Sequence, residues 1–155
     1  MMPRSEIPAD APTIVVTRVY DAPRALVWQA STDPRHVRQW WGGPGVANPK
    51  CEMDLRVGGR WEQLMRLADG RELRLDFVFL EIEPPERLVW RHADRQDGGP
   101  TPSFTLTLDE LGDRTRYTLV VRFDSIEQRN AAVGYGFTGP IEASHDRLVD
   151  HLKSM

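Results

Sequence analysis

The chain has 155 residues, 40% of them hydrophobic and 28% charged, with a formal net charge of −3. That length suits one domain able to bury a core without disulfides or metal, and the charge offers no electrostatic case for nucleic acid or an anionic membrane surface. A single cysteine, Cys51, excludes an internal disulfide, no run approaches the length of a membrane span, and the stretch from Met1 to Glu6 has no apolar core of a signal peptide, so the expected location is cytoplasmic.

Residues 1–12, with three prolines and no periodicity, read as a flexible tail, and residues 13–155 as one domain. Thr13 to Tyr20 is rich in β-branched residues and predicts a first strand. Two short helices come next. The first covers Arg24 to Ala30, and the second is announced by Asp33-Pro34, a cap followed by a first-turn proline. It ends at Trp40-Trp41-Gly42-Gly43-Pro44, a stop with two large aromatics at its lip.

From Val46 the period changes to two. Met53, Leu55 and Val57 alternate with Glu52, Asp54 and Arg56, and Gly58-Gly59 turns the chain. Trp61, Gln63, Met65 and Leu67 alternate up to Asp69-Gly70, a hairpin signal, after which Leu73, Leu75, Phe77 and Phe79 continue on the way back. The run is apolar on both faces near Val78 to Ile82 and turns at Pro84-Pro85-Glu86. Arg87 to His92 is the next strand; a Gly/Pro-rich loop from Asp97 to Pro102 leads to a strand beginning at Phe104 and then to another over Thr115 to Phe123. About seven antiparallel strands result.

Ser125-Ile-Glu-Gln has capping-box spacing and predicts a short helix over Ile126 to Val133. Gly134, Gly136 and Gly139 interrupt it around Tyr135 and Phe137. The last stretch, Gly139 to Lys153, places Ile141, Leu148 and Leu152 on one stripe of an amphipathic helix. The strands need something against which to bury their apolar face, and this helix is what they are expected to wrap.

Several local sequences carry a resemblance: Asp33-Pro34 running to Trp40-Trp41-Gly42; Asp54-x-Arg56-x-Gly58-Gly59; Pro84-Pro85-Glu86-Arg87-Leu88; and Thr115-x-x-Thr118-Leu119 leading to Ser125-x-Glu127-x-Arg129. In this order they resemble the activator of Hsp90 ATPase homologue-like proteins of the START-like (SRPBCC) superfamily, over about Thr13 to Leu152. The resemblance implies an α+β helix-grip fold, an antiparallel sheet of about seven strands wrapped around a long C-terminal helix, with two short helices after strand 1. It also implies a cavity between sheet and helix, used in the superfamily for apolar or amphipathic small molecules.

Trp61, Met65, Phe77, Phe79 and Trp90 fall on inward positions, an excess of large aromatics that fits a lined pocket as well as a filled core. Gln63 shares their face, Trp41 is placed at the mouth as a lid, and Trp40 is a core plug. From the other side Phe137, Ile141, His145 and Leu148 complete the candidate ligand cavity. His145 is the first polar candidate, able to orient a carbonyl or hydroxyl or to act as acid or base, against the plainer reading of a core-edge histidine bonded to a backbone carbonyl. Arg74 is a weaker candidate, and Asp54 with Arg56 is expected to be a surface pair.

His36, His92, His145 and His151 lack metal-ligand spacing, so the metal and cofactor assignment is none. No nucleophile-and-base pair is visible, and catalysis is left unassigned. The leading function is binding of a small apolar or aromatic ligand; a cyclase or aromatase-type enzyme using His145 and a co-chaperone-like protein-binding module are the alternatives. Oligomeric state is not legible.

Overall fold

A computed structural model describes residues 4–43, 45–95 and 98–155. Outside them fall the first three residues of the expected tail, the Pro44 of the Trp40–Pro44 stop, and Gln96 with the Asp97 that opens the expected loop.

An eight-stranded antiparallel sheet runs in the order β1-β2-β8-β7-β6-β5-β4-β3. Its strands are β1 (Arg4–Glu6), β2 (Thr13–Tyr20), β3 (Ala47–Met53), β4 (Arg60–Arg66), β5 (Glu72–Glu83), β6 (Arg87–His92), β7 (Ser103–Leu111) and β8 (Arg114–Arg122). The helices are α1 (Arg24–Thr32), α2 (Pro34–Trp40), α3 (Ile126–Gly134) and α4 (Thr138–Ser154). This is the α+β helix-grip arrangement, with one strand more than the alternation predicts. Among the described residues no helix is long and apolar enough to cross a membrane.

The additional strand, β1, lies within the stretch read as a flexible tail. It pairs with β2, Ser5 opposite Val16, and the Ser5 hydroxyl donates to Glu142 of α4 at 2.5 Å. A buried arginine fixes the segment between β1 and β2. Arg129 of α3, 3% exposed, donates through Nη1 to the carbonyls of Pro8, Ala11 and Thr13 at 2.8–2.9 Å. Three acceptors around one guanidinium hold a stretch that has no apolar pattern of its own.

Local chemistry sets the helix starts. Asp33 accepts from the Arg35 amide ahead of Pro34, and Ser125 Oγ accepts from the Gln128 amide at 3.0 Å. Gln128 reaches back to the amide of Asp124, one residue before the position an ideal capping box uses. The turn after β3 is possible because Gly59 has no Cβ, which would strike the carbonyl oxygens of Asp54 and Arg56. Asp54 and Arg56 pair at 2.6 Å on the surface of that turn, exposed as expected.

The apolar run at Val78 to Ile82 has its reason in a register shift of the β5–β6 ladder between Phe79 and Glu81. Such a shift bends the strand and increases its twist, curving the sheet around α4. One stripe of α4, Ser144, His145, Leu148 and Leu152, is buried. Ile14, Val16, Leu106, Leu119 and Val121 answer it from β2, β7 and β8, and each such side chain stabilises the fold by roughly 1.5–3 kcal/mol. Trp40 seals α2 onto α1, its indole N–H donating to the Ala30 carbonyl at 3.0 Å.

Candidate functional site

The concave face has two chemically different ends. At the first, β4 to β7 bring their aromatics together by register: Trp61 lies opposite Phe77, Phe79 opposite Trp90, and Trp90 opposite Phe104. The Trp61 and Phe77 ring centres are 4.9 Å apart, Trp61 and Trp90 5.4 Å, and Trp90 stacks on Phe104 at 5.3 Å with 9° between planes. Trp41 approaches from the loop after α2, edge-on to Trp61 at 5.1 Å and to Phe77 at 6.5 Å. It is half-buried, whereas the strand aromatics are buried.

A polar chain runs beneath this cluster. The Trp61 indole N–H donates to Gln63 Oε1 at 2.9 Å, Gln63 Nε2 to Asn48 Oδ1 at 2.9 Å, and Asn48 Nδ2 to the carbonyls of Arg38 and Trp41. Cys51 adds its thiol to Gln63 Oε1 at 3.5 Å, and burial pushes that thiol up to about 11. A thiol so placed is protonated and unreactive at neutral pH. Gln63 is therefore a structural connector between β4 and the Trp41 loop.

Helix α4 holds the same loop from above. Arg147 donates to the carbonyls of Gln39 and Gly43, each at 2.5 Å, and of Val46 at 3.2 Å, while Ser144 Oγ accepts from the Gly42 amide at 2.7 Å. Gly42 sits at φ +92°, and a Cβ there would come within 2.7 Å of Val46 and 2.8 Å of the Met65 methyl. Among the described residues, two of the surface depressions stand out, and neither is lined by α4. One, of about 560 Å³, is walled by Leu73, Leu75, His92 and Arg95 among others; His92 meets Phe77 edge-on at 5.4 Å and Leu75 packs on the core. The other, of about 270 Å³, lies at the β3–β4 edge around Glu52, Met53 and Arg60.

The second end is built by β2, β8 and α4. His145, 2% exposed, lies edge-on between Tyr117 at 4.8 Å and Tyr20 at 6.2 Å, and the two tyrosines meet at 5.5 Å. Arg18, on the same face of β2 as Tyr20, lies over the Tyr20 ring and pairs through Nη1 with Asp146 at 2.8 Å. Burial, aided by the Arg18 charge and opposed by Asp146, holds His145 down at about 4, so it is neutral at pH 7. Burial likewise raises Tyr20 and Tyr117 well above the ordinary phenol range. Among the described residues, four buried polar side-chain atoms have no hydrogen-bond partner. Three belong to this group, Arg18 Nε, Tyr20 Oη and His145 Nδ1; the fourth is Trp90 Nε1.

The candidate residues thus divide. Trp41, Trp61, Gln63, Met65, Phe77, Phe79 and Trp90 gather at the aromatic end; His145 belongs to the tyrosine end, and Leu148 is fully buried one turn further along α4. Ile141 is half-buried on α4, and Phe137 packs on Phe123 at 5.6 Å. Arg74 is exposed at the rim of the larger depression. Sequence reasoning missed Arg18, Tyr20, Tyr117 and Asn48. The signal for the first two was present in β2, where Ile14, Val16, Arg18 and Tyr20 alternate and put a charge on an otherwise apolar face.

Among the described residues, no group of three or more histidine, cysteine or carboxylate side chains is placed to hold a metal ion. His36 of α2 and His151 of α4 share a hydrogen bond of 2.9 Å, and burial with the neighbouring His36 lowers His151.

The family described as "Activator of Hsp90 ATPase homolog 1-like protein" matches residues 21–153. No curated protein matches the chain. Among solved structures, a protein of Nitrosomonas europaea is 25% identical with a TM-score of 0.86, covering 96% of this chain and 97% of its own. A protein of Arthrobacter aurescens is 24% identical with a TM-score of 0.86, covering 98% of this chain and 92% of its own. CalU16 of Micromonospora echinospora, in its solution structure, is 32% identical with a TM-score of 0.63, covering 97% of this chain and 70% of its own.

Proposed function

Because the chain belongs to the activator of Hsp90 ATPase homolog 1-like family, we propose that it is a small-molecule-binding domain that takes an apolar or amphipathic ligand between the concave sheet and α4. The observation that carries this reading is Trp41. The aromatic surface of Trp61, Phe77, Phe79 and Trp90 is made by strands, but the indole that closes it comes from a loop and is only half-buried. Strand side chains are held by a ladder on both sides, whereas the Trp41 loop is held by side-chain hydrogen bonds from Arg147, Ser144 and Asn48 that can open together. Withdrawal of Trp41 would uncover Trp61 and Phe77, whose rings are tilted 55° to each other, and the depression walled by His92 and Leu75 adjoins Phe77 through His92. These rings supply apolar area and edge-on contacts.

The test is native mass spectrometry of the purified protein, followed by titration with naphthalene-sized aromatics read by tryptophan fluorescence and thermal shift. A ligand present at a hundred times its Kd adds about 2.7 kcal/mol to stability. Trp41→Ala is expected to change the affinity and to remove part of the fluorescence response. Absence of any bound mass, together with no stabilisation by any aromatic probe, would refute the reading.

A further inference from the structure

We propose that His36 and His151 form a proton-operated latch, which holds the end of α2 and Trp41 against α4 at neutral pH and releases them in mildly acidic solution. Release needs no ligand, so the latch stands or falls apart from the binding reading. Three polar side chains of α4 reach α2 and its loop from one face of the helix, at positions i, i+3 and i+7. Ser144 Oγ accepts from the Gly42 amide at 2.7 Å, Arg147 donates to the Gln39 and Gly43 carbonyls at 2.5 Å, and His151 Nε2 meets His36 Nδ1 at 2.9 Å. Both imidazoles are half-buried, and they stand edge-on with centres 5.1 Å apart. Between about pH 5 and pH 8 a serine hydroxyl stays neutral and a guanidinium stays charged, so of these three contacts the imidazole pair alone changes its charge.

Hydrogen-bond chemistry limits how many protons the closed pair can hold. With both rings neutral, one of the facing nitrogens carries the N–H and the other the lone pair. One added proton is tolerated, because an imidazolium still donates to a neutral partner. A second is not, since two N–H groups on two like charges would then face each other at 2.9 Å. Burial, with His36 beside it, already holds His151 below the ordinary imidazole value. The separated pair therefore binds the second proton more readily than the joined one, and the contact is lost as the pH falls from the free value of about 6.5 toward the lowered one. Neighbouring charges do not cancel this. Asp33, just ahead of α2, is the anion that acts on His36, and Arg35 already engages it at 2.8 Å. On α4, Arg147 adds a cation one turn before His151, Asp146 pairs with Arg18, and Asp150 and Lys153 are exposed. From α1, Arg24 is directed at Glu86 and Glu110; from β3, Lys50 pairs with Glu52 and Glu62; and Arg38 of α2 faces the Asn48 and Pro49 carbonyls.

The test is amide hydrogen exchange of the full-length protein, read by mass spectrometry at about pH 7.5, 6.5 and 5.5 and corrected for the intrinsic rate at each pH. Protection of residues 36–43 is compared with that of β7 and β8, which report any acid loss of the whole fold. The ratio is expected to fall by about three- to tenfold over this range, tenfold being the limit for one proton. His151→Gln and, separately, His36→Gln keep a side chain able to hydrogen-bond and leave no second proton to add, so in each the ratio is expected to stay within about twofold. A ratio that holds steady in the parent protein, or one that falls as far in either variant, overturns the latch. So does a His151 midpoint at or above about 6.5 in proton NMR of the parent.

Discussion

Replacing His145 by leucine is expected to make this protein less sensitive to acid. The imidazole is 2% exposed, and burial with the nearby Arg18 charge holds it down at about 4, against about 6.5 when it is free in the unfolded chain. Between those values the unfolded chain binds a proton that the folded one does not, so stability falls as the pH falls. The slope is about 1.36 kcal/mol per pH unit for one group, so descending from about pH 6.5 to about pH 5 removes roughly 2 kcal/mol through this side chain alone. The loss starts as the pH passes down through the unfolded value and is complete near the folded one. Leucine has similar bulk, joins Leu148 on the buried stripe, and titrates nothing. Urea unfolding of both proteins at about pH 7, 6 and 5, monitored by tryptophan fluorescence, isolates the effect, because the carboxylates are common to both. The difference in unfolding free energy is expected to move by roughly 2 kcal/mol in favour of the variant. Parallel pH curves would refute the claim that His145 is held neutral in the core.

The same geometry sets further outcomes. Arg147→Ala removes the donor that gathers the Gln39, Gly43 and Val46 carbonyls, so limited proteolysis is expected to cut sooner within residues 41–46, at a rate compared directly with the parent protein. Gln63→Leu leaves the Trp61 indole N–H and Asn48 Oδ1 without their partner, and a loss of about 2–3 kcal/mol is expected in chemical denaturation. Cys51, with its thiol raised to about 11 and buried, is expected to resist a disulfide reagent at pH 8 until urea unfolds the protein. His36→Ala removes the neighbouring imidazole that lowers His151, so the His151 midpoint measured by proton NMR is expected to rise.

What the sequence made legible was local or periodic. Alternation placed Trp61, Gln63 and Met65 on one face and Phe77 and Phe79 on the facing strand, and Asp69-Gly70 joined them in register, with Gly70 at φ +90°. Helix starts at Asp33 and Ser125 were readable because a cap is a contact between near neighbours. Contacts closed only by the tertiary fold were not readable. β1 is three residues long and owes its place to β2, Glu142 and the segment that Arg129 holds. Arg147 reads as a solvated charge on a polar helix face, yet it lies against a loop more than a hundred positions away in sequence. The tyrosine end depends on β2 pairing with β8, so Arg18 faces Tyr117 across the ladder, and no periodicity in either strand announces that meeting.

The two ends of the concave face differ in how many buried polar atoms they leave open, the Trp90 indole N–H at the aromatic end and three at the tyrosine end. At the aromatic end the indole of Trp61 passes its hydrogen bond to Gln63, Gln63 to Asn48, and Asn48 to the main chain, so this one chain closes. At the tyrosine end three polar atoms on touching side chains are left open. Each open group costs on the order of 1–3 kcal/mol, a large share of the roughly 5–15 kcal/mol that holds a typical domain together. Phenylalanine at position 20 fills the same volume without that cost. Tyr20→Phe is accordingly expected to raise the stability of the protein in chemical denaturation, whereas Gln63→Leu lowers it. A gain at position 20 and a loss at position 63 are the opposite signs that an open polar group and a closed hydrogen-bond chain must give.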